Sequence, residues 1–131
     1  MMTGDDLLKV CLNQIGHTKE SNPIASEYFL GILNVCLAEC LNTEECYRRM
    51  NDLDMLLDAP FVGAMDEDID YSNYVLLNVV SKGVSARLAG EEDNQMLADY
   101  YGTMYENAKV RALGCMYVNT MNIAEGGEID G

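Results

Sequence analysis

Asp68-Ile69-Asp70-Tyr71-Ser72-Asn73-Tyr74 opens a stretch that runs to Met116 and decides the fold. Beyond it Leu77, Val80, Val84 and Leu88 recur at helical spacing. The break Leu88-Ala89-Gly90-Glu91-Glu92-Asp93 follows, and Leu97, Tyr101, Met104, Ala108, Arg111 and Cys115 then repeat the helical period. Two amphipathic helices joined by a short turn make a hairpin. Gly90, with no Cβ, can take the left-handed cap that ends the first helix, and Glu91, Glu92 and Asp93 put negative charge at the positive end of the second. Gly83, Ser85, Ala86 and Ala89 let the helices approach closely, with Tyr100, Tyr101, Met104 and Tyr105 filling the remaining space.

Upstream, Thr3 caps a predicted helix from Gly4 to Ile15, with Asp5 and Asp6 in its first turn, an apolar stripe of Leu8, Cys11, Leu12 and Ile15, and Gly16 as its stop. After the polar loop His17 to Asn22, Asn22-Pro23 reads as cap and first position of a second helix reaching Leu41. That helix is apolar nearly all round, so it is either central to the bundle or covered by another subunit. A third helix starts at Asn42-Thr43, carries Glu44 and Glu45 at its N-terminus, and is expected to end near Asp58 before Pro60, with Cys46, Met50, Leu53 and Leu57 facing inward. The adjacent Arg48 and Arg49 fit salt bridges to nearby acids or a subunit contact.

Between residues 59 and 70 the helical period fails, yet Phe61, Val62, Met65 and Ile69 are too apolar for an idle loop. They cover either their own bundle or a neighbouring subunit. Asp66, Asp68 and Asp70 imitate the start of a calcium loop, but Tyr71 stands where glycine is needed and Leu77 where glutamate is needed, so these acids are assigned to the flank of the next helix. After Met116, Tyr117 to Ile123 alternates partly with period two and then gives way to Gly and acid, the pattern of an extended C-terminal arm able to add a strand to another chain, or of a frayed terminus.

Composition bounds the function. In 131 residues with 49% apolar content there is room for one core, which buries roughly two-thirds of the unfolded chain's surface. No apolar run approaches the ~18 residues of a membrane span, and Met1 to Asp6 lacks the basic region of a signal peptide, so a soluble protein of the cytoplasm is expected. With 22 acidic against 8 basic residues, the net charge of −14 cannot supply the cationic footprint of nucleic-acid binding. A solvated acidic surface, an acidic wall along which DNA slides, and a DNA mimic all remain open. Cys11, Cys36, Cys40, Cys46 and Cys115 are expected as reduced thiols. Cys36 and Cys40 stand one turn apart, and Cys46 and the single His17 could complete a metal set. No Cys-x2-Cys pair exists, however, and the apolar neighbours make core cysteines the preferred reading. No nucleophile motif, phosphate-binding loop or enclosed carboxylate pair is visible, so no catalytic, cofactor or metal residue is assigned and an enzyme is not expected.

Asp70-Tyr71, Leu76-Leu77, Gly83 to Ala89, Glu92-Asp93, Ala98-Asp99-Tyr100-Tyr101 and Met104-Tyr105-Glu106-Asn107-Ala108 carry one further signal. Together they resemble the head-tail connector proteins of tailed phages, the adaptor or head-completion class, over the second half of the chain and in layout over the first. The resemblance implies a structural virion protein of the neck, made in the host cytoplasm. It implies a homo-oligomeric ring, twelvefold, beneath the portal protein, which docks the next tail or neck component while DNA passes its lumen without specific binding. It places the C-terminal segment at the portal. The combined expectation is an all-α protein: a small bundle of about four main helices over residues 1–116 with an irregular loop, and an extended arm over 117–131. Its subunit or portal interface is assigned to Phe61, Val62, Met65, Ile69, Tyr117, Val118, Met121 and Ile123. The alternative is an acidic DNA mimic or regulatory protein-binding module.

Overall fold

The computed structural model describes residues 1–18 and 25–112, and 113–130 as backbone. The protein is an all-α bundle: α1 (Gly4–Gln14), α2 (Ala25–Glu39), α3 (Leu41–Met50), a rod made of α4 (Asn73–Val75), a π-helical turn (Leu76–Val80) and α5 (Ser81–Glu91), and finally α6 (Gln95–Asp130). No helix among the described residues is long and apolar enough to cross a membrane.

Helix α1 starts as its sequence dictates. Thr3 Oγ1 accepts from the Asp6 N–H at 3.2 Å and the Asp6 carboxylate accepts from the Thr3 N–H at 3.0 Å, a reciprocal capping box. Gly16, at φ 79°, ends it, with the His17 N–H bonded to Leu12 C=O. Leu7, Leu8, Cys11, Leu12 and Ile15 are buried.

The hairpin is the organising unit, and α5 is the helix that α1, α2 and α6 all pack against. Helix α2 is therefore not central. Phe29, Leu33, Cys36 and Leu37 bury its inner face while Gly31, Val35 and Ala38 stay exposed. Gly83 is the close-approach point of the hairpin, since a Cβ built there would lie 2.7 Å from the Tyr105 ring. The turn differs from expectation. Gly90 lies within α5, and the left-handed residue is Asp93 at φ 58°, a conformation aspartate tolerates, with Asn94 N–H bonded to Ala89 C=O. The Asn94 side chain then accepts from the Leu97 N–H at the start of α6, and Glu92 sits 2.8 Å from His17.

Four further expectations are corrected. The π-helical turn inserts a wider turn into the rod, so Leu76, Val79 and Val80 face the core and Leu77 is left 40% exposed. Helix α3 ends at Met50 rather than Asp58. Asp52 turns left-handed at φ 54° and Leu53 N–H closes on Arg48 C=O, so Met50, Leu53 and Leu57 are exposed and Cys46 is half-buried. Arg111, expected on the inner stripe of α6, is exposed, and Cys115 lies beyond the described side chains. The backbone of α6 is helical through Asp130, so residues 117–130 form helix where an extended arm was expected. A period-two run of seven residues without proline does not by itself exclude helix, and here it continues a helix already nucleated.

Candidate functional site

Assignments at Phe61, Val62, Met65 and Ile69 divide sharply. Val62 and Ile69 are buried in the chain's own core and Met65 is half-buried against it, whereas Phe61 is 79% exposed. The loop is a lid held by backbone pairing. Gly4 N–H donates to Glu67 C=O, Asp5 N–H to Met65 C=O and Ile69 N–H to Met2 C=O, with Thr3 bridged to Asp68. The Asn34 side chain clamps Val62 from α2, donating to its C=O at 3.0 Å and accepting from its N–H at 2.8 Å. Side chains of Tyr117, Val118, Met121 and Ile123 lie outside the described residues.

What the sequence reading missed is the segment just before this lid. Leu53 and Met55 are nearly half exposed, and Leu57, at 91%, and Phe61 stand clear of the bundle, interspersed with Asp52, Asp54 and Asp58. Both ends of the segment are pinned. The Asn34 clamp holds one, and at the other the Arg48 guanidinium donates to Asp54 C=O while Leu53 N–H bonds Arg48 C=O. Large apolar side chains are thus held out on a tethered loop as a preorganised apolar surface. Its only signal in the sequence was the alternation of acids with Leu and Met after Asn51, which a helical assignment absorbed.

Arg48 owes its position to Glu44. The Glu44 carboxylate is fully buried, lies 2.6 Å from Arg48 Nε, and accepts from Ser72 N–H at 3.0 Å and Ser72 Oγ at 2.8 Å. Arg48 also reaches the Asp70 carboxylate and C=O, each at 3.1 Å. Burial opposes the charge of Arg48, but hydrogen bonds to Glu44 and Asp70 outweigh it and raise its pKa. One network thus ties α3, the lid and the start of α4 together.

A second cluster joins α2, α5 and α6. Arg87 donates to Cys36 Sγ at 2.8 Å and Glu39 Oε2 at 3.0 Å, Tyr105 donates to Glu39 Oε1 at 2.8 Å, and Cys40 Sγ lies 3.3 Å from the Tyr105 hydroxyl. Lys109 covers the Tyr105 ring at 4.2 Å. Burial pushes the Cys36 thiol up to about 11, so it stays protonated near neutrality and is a poor nucleophile. Burial also works to raise the Glu39 carboxyl, but bonds from Tyr105 and Arg87 hold it below its ordinary range. The cluster has the chemistry of a structural clasp. Among the described residues no three His, Cys, Asp or Glu side chains are placed to hold a metal.

Beside the end of α3 a cleft of about 660 Å³ opens between α3, the rod and α6, within the ~300–1,000 Å³ range of clefts that bury a ligand or several side chains. Tyr47, Tyr74, Val79 and Met104 line it, the two tyrosine rings stacked with centroids 5.4 Å apart, and Lys82 and Arg111 border it. Comparison with family models, curated protein sequences and solved structures returns no match.

Proposed function

We propose that the chain is a structural assembly subunit of the head-tail connector kind, working by surface contact and not by chemistry on a substrate. The observation that carries this reading is the tethered apolar segment Leu53–Phe61, whose exposed side chains need a partner surface. The connector resemblance of the α5–α6 hairpin supplies the class of assembly: a ring under the portal protein that extends the DNA channel and docks the next neck or tail component. In that ring the acids face the lumen. With a charge of −14 and no cationic footprint, such a wall repels phosphate and lets DNA pass without being held.

An acidic DNA mimic makes the opposite use of the same charge, binding a basic protein directly. Capture experiments at low and high salt, one with the cognate portal and one with host lysate, separate the two. The connector reading expects portal association that survives moderate salt and no measurable DNA affinity at physiological salt. Recovery of a nucleic-acid-binding protein in a salt-sensitive complex, with no portal association, would overturn it.

A further inference from the structure

Two unpartnered surfaces of this chain complement each other. The cleft between α3, the rod and α6 is apolar in its walls and cationic at its border: among its described lining residues Lys82 and Arg111 carry charge and none is acidic. Arg48, Arg87 and Lys109 each have a carboxylate partner, at 2.6, 3.0 and 3.2 Å, whereas among the described residues Lys82 and Arg111, like Lys9 and Arg49, are in no ion pair, and Lys82 lies 5.9 Å from the Tyr101 ring centroid. With acids outnumbering bases 22 to 8, two cations left without an acid at one apolar cleft are a local reversal of the protein's charge. The segment Leu53–Phe61 has the converse character: exposed Leu53, Met55, Leu57 and Phe61 alternating with Asp54 and Asp58, next to Asp52. Being tethered at both ends, it loses little conformational freedom on docking.

We infer that the cleft of one copy receives the Leu53–Phe61 segment of another copy, the apolar side chains entering between the stacked Tyr47–Tyr74 pair and Met104 and the aspartates facing Lys82 and Arg111. The inference rests on the reading of the chain as a self-assembling subunit and names the contact that joins its copies. Charge complementarity selects this occupant: the cleft's cations would be matched by the segment's own acids, and both apolar surfaces would leave water in one step. Because the segment and the cleft are different surfaces, each copy offers one of each, and repetition of the contact links copies head to tail into a ring when the rotation closes.

Complementation tests this directly. Leu57→Asp spoils the segment and leaves the cleft, while Lys82→Glu/Arg111→Glu spoils the cleft and leaves the segment; all three positions lie on the surface or at its edge, and circular dichroism checks that both variants fold. Sedimentation velocity up to about 0.5 mM, where contacts with Kd in the hundreds of micromolar are visible, is expected to show the wild-type chain self-associating and each variant doing so at least ~10-fold more weakly. An equimolar mixture of the two variants is expected to form a dimer and nothing larger, since one intact segment and one intact cleft remain. A wild-type chain that stays monomeric throughout, as it would if its own segment filled its own cleft, overturns the inference. So does a variant that associates like wild type, or a mixture that fails to pair. Portal-bound rings unaffected by Leu57→Asp would overturn the contact and leave the connector reading standing; complementation without any portal binding would do the reverse.

Discussion

Glu44 shows how far a single residue's role can sit from its sequence signature. At the N-terminal end of α3 it reads as a charge favourable to the helix dipole. In the structure it is a fully buried carboxylate that holds Arg48 and caps Ser72. The spacing to Arg48 was visible, but the partner at Ser72, 28 residues away, was not. Glu44→Ala removes the buried carboxylate that pairs with Arg48 and leaves Ser72 N–H and Oγ without their acceptor, and is expected to cost about 3 kcal/mol in urea denaturation. Glu44→Gln, whose amide oxygen still accepts from Ser72, is expected to cost clearly less. A loss under ~0.5 kcal/mol for the alanine variant would show that the network stabilises nothing. Cysteines tell the opposite story: Cys11, Cys36 and Cys40 are core residues, as their apolar neighbours indicated. Burial pushes the Cys11 thiol up to about 12 and the Cys36 thiol up to about 11. An unfolded thiol ionises near 9.0 and the folded ones do not, so above that pH the unfolded state binds fewer protons and is favoured. Stability contributed by these thiols is complete below that pH and declines as pH rises through the folded values. The urea midpoint should therefore fall from pH 9 to 11, and Cys11→Ala/Cys36→Ala should flatten that slope whatever it does to stability at pH 7.

Among the elements, helix existence was legible from periodicity, and helix ends were legible where glycine marked them. Gly16 announced the stop of α1. The ends of α3 and α5 use Asp52 and Asp93 in the same left-handed position, and aspartate carries no comparable signal, which is why α3 was extended and Gly90 credited with a turn it does not make. The π-helical turn was equally hidden, because shifting the buried position from Leu77 to Leu76 exchanges one leucine for another. Small residues on the first hairpin helix were the firmest element-level signal, and Gly83 carries it. Gly83→Ala forces the buried Tyr105 ring to move from a place held by Glu39 and Cys40, with an expected loss of about 1–3 kcal/mol. In the Tyr105→Leu background the same substitution should cost much less, and additivity in that double-mutant cycle would contradict the close-approach account. Among the described side chains of α6, the last to pack in or against the core are Tyr105 and Ala108. Deleting residues 117–131 is expected to shorten the helical signal while leaving the thermal midpoint within a few degrees. Portal attachment should be lost if the distal part of α6 is the portal contact. Cooperative unfolding of the truncated chain would show that this part belongs to the core.

For the whole molecule, the fold class followed from the pattern of apolar residues, whereas the exposed apolar segment did not, because exposure of Leu57 and Phe61 depends on where α3 ends and on the clamp from Asn34. The lid residues Val62, Met65 and Ile69 proved equally apolar and serve the bundle. Apolar character told which residues need a partner; only the tertiary arrangement told whether the partner is the same chain. On the proposed assembly reading, the segment, the cleft and the acidic surface belong to a subunit whose single contacts are weak and whose assembly gains from a template that raises effective concentration. Native mass spectrometry of the chain with and without the cognate portal ring tests this most directly. At micromolar concentration the account predicts a chain largely monomeric by itself that forms a closed multi-copy ring on the portal. A chain that remains monomeric or dimeric in the presence of portal, with no mass corresponding to a portal-bound ring, would contradict it.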